Sequence, residues 1–228
     1  MNIKCLKIAI ASIVLATSFH SSATIIASTD FDNRAVSGNT ASNLSWTLNG
    51  ISSPGDLSAD YQLFDTANAK DKIAVDRNLS LEGDWVVEIA LDVLSTNNIA
   101  LTSVSFDAFI FNNAGNFQTA SRDFDINAEI FDSSNASLVS VSFDNIFGTT
   151  FTSGVANNVS LSFGGLALFA NNNYTLRLTA SGQGSGNNAG FDNLVINGDV
   201  NAVPEPSTLA ILALGLMGLA SRRLKKQS

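Results

Sequence analysis

The sequence predicts an all-β fold, a two-sheet antiparallel β-sandwich of jelly-roll type. Three observations carry this. Helical periodicity is weak along the body of the chain, short runs rich in Val, Ile, Phe and Thr recur instead, and clusters of Asn, Ser, Gly and Asp separate those runs. The clearest run, residues 85–94, puts Trp85, Val87, Ile89, Leu91 and Val93 on one face and Val86, Glu88, Ala90, Asp92 and Leu94 on the other. That period of two is what a half-buried strand requires, and the first face is the core face.

In chain order, the first element is a targeting segment, residues 1–23. Lys4 and Lys7 precede an apolar run at 8–16, and Ser21 and Ala23 place small residues three and one before a cut, so the body is expected to begin at Thr24, with Ala27 as a second cut position. The body, 24–202, suits one domain, since no charge run or Pro-rich linker divides it. Strands are predicted at 24–31, 44–48, 72–75, 85–94, 101–112, 124–131, 138–143, 159–163, 174–180 and 191–196. The run at 101–112 alternates Val104, Phe106, Ala108 and Ile110 against Ser105 and Asp107, then turns apolar on both faces at Phe109 and Phe111. A bulge there, or a strand covered on both sides, accounts for the change. Tyr174 opens a strand just after the turn signal Asn171-Asn172-Asn173, in the manner of a tyrosine corner. Gly182-Gln183-Gly184-Ser185-Gly186 reads as a hairpin turn before the last strand, because neither a Lys nor a helix follows as a phosphate loop would need.

The last segment, 203–228, has three signals in a fixed order. Pro204-Glu205-Pro206 comes first, an apolar stretch from Leu209 to Ala220 follows as a short helix, and Arg222, Arg223, Lys225 and Lys226 close it. The prolines hold the entry extended, and the four cations mark a cytoplasmic end. Twelve apolar residues fall short of the ~20 that a stable membrane span needs. This arrangement resembles the PEP-CTERM sorting signal of Gram-negative bacteria. The resemblance implies export through the inner membrane, transient insertion there by the tail, processing by an exosortase near the motif, and delivery to the cell surface or outside the cell. It also implies association with exopolysaccharide and biofilm.

Composition then excludes much chemistry. The single cysteine, Cys5, and the single histidine, His20, both fall within 1–23, so the body has no disulfide, no Cys or His zinc site, and no triad built on imidazole or thiolate. Between Thr24 and Val203, six cations face nineteen acids, a formal charge of −13. Such a body is repelled by nucleic acid, and divalent cations and neutral glycans are the more natural partners.

Phe-Asp occurs seven times in the body, at Phe31, Phe64, Phe106, Phe124, Phe131, Phe143 and Phe191, without a fixed period. A strand with Phe inward and Asp at water or at a turn explains most copies. The first and last copies, in what should be neighbouring first and last strands, offer Asp30, Asp32 and Asp192 for a structural calcium ion, which takes six to eight oxygens. Asp123, Asp125, Asn127 and Glu129 alternate with apolar residues and form a solvated acidic strand face, because oxygens spaced ~6.8 Å apart cannot all reach one ion. Trp85 and Trp46 share faces with aliphatic residues and belong to the core, while Tyr61 beside a polar loop is the freest ring. Glu82, Glu88 and Glu129 are the internal glutamates, and nothing around them marks a paired-carboxylate catalyst. The sequence therefore reads as a non-enzymatic, exported surface or matrix protein, structural or adhesive, with a calcium-stabilised carbohydrate-binding module as the alternative.

Overall fold

The computed structural model describes residues 24–32, 34–60, 62–63, 72–74, 84–112, 124–144, 157–181, 187–203 and 214–216. Their strands, in chain order, are β1 (Thr24–Thr29), β2 (Ala35–Ser37), β3 (Thr40–Ser42), β4 (Thr47–Leu48), β5 (Leu57–Ala59), β6 (Ile73–Ala74), β7 (Trp85–Asp92), β8 (Asn97–Asn112), β9 (Asp125–Asp132), β10 (Ser137–Phe143), β11 (Asn157–Leu168), β12 (Asn173–Ser181) and β13 (Asn187–Ala202). They form two antiparallel sheets. One runs β11-β8-β13-β1-β4, with β6 also paired to β13, and the other runs β10-β9-β12-β7-β5-β3-β2. The expected sandwich is what forms, and the first and last strands are neighbours in it, Thr24 lying opposite Gly198 and Thr29 opposite Leu194.

The alternation read from 85–94 holds. Trp85, Val87, Ile89, Leu91 and Val93 are all buried, and the matching residues of β12 and β9 meet residues of the other sheet in one core. Phe191 of β13 is the centre of an aromatic cluster. Trp85, from the opposite sheet, stacks on it with ring centroids 5.8 Å apart, Phe31 meets it edge-on at 5.8 Å, and Phe106 tilts against it at 5.6 Å. These spacings lie in the favourable range for ring pairs, which adds about 0.5–1.5 kcal/mol each to the area they bury.

β8 does carry a bulge, at Thr102, where Asn197 pairs with Ser103 but Gly198 with Leu101. Skipping one residue keeps Leu101 and Val104, three apart, both on the core face. At the doubly apolar end of the run the strand is covered on both sides, as the second of the two readings expects: Phe109 and Ile110 are buried on opposite faces, and Lys72 lies 5.0 Å above the Phe109 ring. Residues 182–186, where a hairpin turn is expected, lie outside the described residues, and the strands on either side of them, β12 and β13, belong to different sheets. Most of the described Phe-Asp copies turn Phe inward, as expected: Phe31, Phe106, Phe124, Phe131 and Phe191 are buried, and Phe143, at 42% exposure, is the exception. It sits at the end of β10, the edge of its sheet among the described strands.

The strands with no counterpart in the sequence reading, β2, β3 and β5, are three-residue pieces such as Ala35-Val36-Ser37, too short for an alternation to show. Their order comes from pairing at the sheet margin, which no local pattern records. Beyond the sandwich, only Leu214, Gly215 and Leu216 of the apolar stretch are described, and they are helical. Among the described residues no helix is long and apolar enough to cross a membrane.

Candidate functional site

The calcium expectation concerns the meeting of β1 and β13. Phe31 has φ 57° and Asn193 has φ 51°, so the chain turns just beyond the end of β1 and again within β13. The register of β13 against β8 shifts between Asp192 and Val195, the mark of a bulge that turns Asp192 and Asn193 outward. Asp30 Oδ1 accepts the Asp32 amide at 3.1 Å, closing a local turn. Asp192 Oδ1 accepts the Asn193 amide at 2.8 Å, and its other oxygen pairs with Lys72 Nζ at 3.2 Å. Burial pushes the Asp192 carboxyl above its ordinary value, and the charge of nearby Asp32 pushes the same way, against the Asn193 amide and Lys72. Asn193 Nδ2 donates to Asp107 Oδ2 at 2.9 Å. Thus Asp32 and Asp192 do come near one another, and an internal lysine already stands at the carboxylate. Among the described residues, no three Asp, Glu, His or Cys are grouped to hold a metal.

The second location is the outer face of the seven-stranded sheet. There an open groove of about 490 Å³ is lined by Ser58, Asp60, Glu88, Glu129, Arg177 and Thr179, with Ala59 and Val86. Arg177 lies opposite Glu88 on one side and Glu129 on the other, because β12 is flanked by β7 and β9. Its guanidinium reaches Glu88 Oε1 at 2.7 Å and lies 4.2 Å from the centre of the Phe131 ring. Glu88 and Glu129 are legible in the sequence as outward strand positions, whereas Arg177 is not singled out by any local pattern. One cation at an outward position of a strand, in a body with only six, was the signal available. The acidic face of β9 is partnered too, since Asn127 Oδ1 accepts from Ser140 Oγ at 2.9 Å. Asp123 lies outside the described residues.

Of the aromatic residues, Trp85 is buried as expected. Trp46 packs partly against the core with Leu44 and Leu48, and its Nε1 donates to the Gly55 carbonyl at 3.0 Å. Tyr61, Glu82 and Phe64 lie outside the described residues, as do residues 1–23, Pro204, Glu205, Pro206, Arg222, Arg223, Lys225 and Lys226. The residue next to the proline motif is described. Val203 donates its amide to the Thr96 carbonyl at 2.7 Å, which makes it the last residue tied to the sandwich before the prolines.

No curated protein matches the chain. Among solved structures, the carbohydrate-binding module TmCBM27, studied for specific mannan recognition, is 11% identical, with 78% of this chain and 98% of that one covered and a TM-score of 0.40. A CBM4 structure is 9% identical, with 75% and 97% covered and a TM-score of 0.41. The K3 cleaved adhesin domain of Lys-gingipain from Porphyromonas gingivalis W83 is 15% identical, with 77% and 99% covered and a TM-score of 0.36. Residues 202–226 match the PEP-CTERM protein-sorting motif, so this chain carries an exosortase-type sorting signal directly behind the last strand of its β-sandwich.

Proposed function

We propose that the protein is a non-enzymatic surface or extracellular-matrix component, structural or adhesive, released by exosortase-type processing and working among exopolysaccharide in a biofilm. The sorting motif at 202–226 is the observation that carries this reading. Its placement supports it. The ladder ends at Ala202 and the last backbone tie is at Val203, so a cut within or after Pro204-Glu205-Pro206 removes the tail without taking a residue from either sheet. An acidic body without cysteine needs no disulfide chemistry outside the cell and resists non-specific adhesion to nucleic acid. Intact mass of the protein from membrane, outer-surface and medium fractions of its host tests this. The expected species lies outside the inner membrane and lacks both 1–23 and the residues beyond the motif. A single species that keeps 209–226 and stays in the inner membrane overturns the reading.

A second reading is a calcium-stabilised carbohydrate-binding module. The groove around Arg177 favours it, because Ser58, Asp60, Glu88, Glu129 and Thr179 offer hydrogen-bonding groups on an open surface. Calcium at Asp30, Asp32 and Asp192 would have to displace Lys72. Retention of the protein by one immobilised glycan, lost in Arg177→Ala, together with a melting temperature that rises with calcium and falls with chelator, is its expected result. Equal retention by all glycans and an unmoved melting temperature count against it.

A further inference from the structure

Both targeting segments leave the sandwich from the same end. Thr24, the expected first residue of the exported body, lies opposite Gly198, and Ala202, where the sorting motif begins, lies opposite Asn97 four residues further along the same strand. Around that exit the connections are knitted together. Val203 donates to the Thr96 carbonyl at 2.7 Å, Leu94 to the Gly50 carbonyl at 3.1 Å, Val93 to the Asn172 carbonyl at 3.0 Å, and Asn171 to the Val93 carbonyl at 3.2 Å.

Residues 49–52, 94–98, 169–173 and 201–203, the four segments around the exit, contain no charged side chain, although the body carries −13. Two large apolar side chains project from it, Phe169 at 58% exposure and Leu94 at 42%. The nearest carboxylates in register are Asp92, Asp132 and Asp199, each at or inside a strand end, and Asp132 spends its oxygen on the Ser134 and Ala136 amides of its own turn.

We infer that this end of the sandwich is a membrane-seating surface, which rests on the lipid headgroups with Phe169 and Leu94 dipping into the interface while the tail is inserted. The inference rests on the export reading above, in which the apolar stretch enters the inner membrane. Chain length requires the proximity. Five residues, 204–208, separate Val203 from Leu209, and even fully extended they span about 18 Å. The headgroup layer takes about 6 Å of that, so the exit cannot stand far from the bilayer. Electrostatics selects the orientation. Anionic lipid repels an acidic body, and the end whose segments around the exit carry no charge is the one that approaches at least cost. Exposed apolar rings at that end then gain from partial burial in the interface. Processing removes the tether, and the same weak seating allows the body to leave.

Because the body has no cysteine, one probe can be placed at will. The full chain with Cys5→Ser, expressed in a host without a processing enzyme, is given a single environment-sensitive dye through Leu94→Cys, Phe169→Cys, Leu214→Cys or Phe143→Cys. Phe143 is as exposed as Leu94 but lies towards the opposite end, its partner Ile126 being near the start of β9. Each is reconstituted into phosphatidylcholine–phosphatidylglycerol vesicles bearing nitroxides at headgroup depth. Emission at 94, 169 and 214 should fall at least about twofold with nitroxide, and emission at 143 much less, as shallow interfacial burial predicts. Quenching at 214 with 94 and 169 quenched no more than 143 overturns the seating surface and leaves the export reading standing. Absence of quenching at 214 overturns both.

Discussion

At the scale of single residues, two carboxylates of the same type respond to their surroundings in opposite directions. Hydrogen bonds from Ser134 and the Ala136 amide hold exposed Asp132 below its ordinary value of 3.8. Its contribution is therefore present above the unfolded value and is lost as pH falls through the lowered folded one. Burial holds Asp192 above 3.8, so the folded state keeps that proton longer than the unfolded chain, and stability declines as pH rises from about 3.8 through the raised folded value. Melting curves from pH 2 to 7 should show Asp132→Asn flattening the most acidic part of the profile and Asp192→Asn flattening the part just above it. If both substitutions alter the same pH range, the assignment of opposite environments is wrong. Tyr174 is a cleaner case. Its buried hydroxyl accepts the Phe169 amide at 3.0 Å, five residues upstream, as the tyrosine-corner reading expected, and Asn171 in the turn has φ 59°. Tyr174→Phe leaves that amide without its partner and should cost about 1 kcal/mol in denaturant melts. An unchanged midpoint would mean that water replaces the hydroxyl.

At the scale of elements, the long strands β8 and β13 stay in the core only by breaking their own alternation. Phe191 and Leu194 are three apart yet both buried, as are Leu101 and Val104, because each strand inserts or skips a residue. The edge strand β11 follows β8 through the same place by inserting residues between Ser162 and Leu166, with Gly164 and Gly165 at φ 66° and 81°. Gly198 shows how closely the strands pack there. A methyl group on it would collide with the Ile26 side chain and come within 2.7 Å of the Ala100 carbonyl oxygen. Gly198→Ala should therefore lower stability by about 1–3 kcal/mol, the usual range for overpacking, whereas Gly38→Ala, with open space around it, meets only the left-handed backbone. A smaller loss at 198 than at 38 would show that β1 yields freely. These bulges explain what the sequence could and could not reveal. Runs such as 85–94, with unbroken alternation, were legible in extent and in facing. The strands of 12 and 16 residues were read short, as 159–163 and 101–112, because a bulge shifts the period and makes one strand look like the end of a pattern. The groove around Arg177 was less legible still, since Glu88, Arg177 and Glu129 are distant in sequence and are brought together only by the order β7-β12-β9.

At the scale of the whole molecule, the fold and the address meet at one residue. β13 is central in its sheet, pairing with both β8 and β1, so the C-terminal strand is a structural member and not an appendage. Its final pairs, Asp199 with Ala100 through Ala202 with Asn97, are the last that precede the prolines. Pro204 cannot donate a backbone hydrogen bond, so the ladder has a chemical stop where the sorting motif begins. Removal of everything beyond Val203 should therefore leave the melting temperature of the body unchanged within error. Truncation after Gly198 should lower it by several degrees or abolish cooperative melting, because four cross-strand pairs and the Val203 tie to Thr96 are lost together. If both truncations melt alike, the last turn of β13 contributes nothing, and the boundary between domain and tail lies upstream of 203. If the first already destabilises the body, the tail packs on the sandwich, and processing at the motif would release a weakened protein and not a finished one.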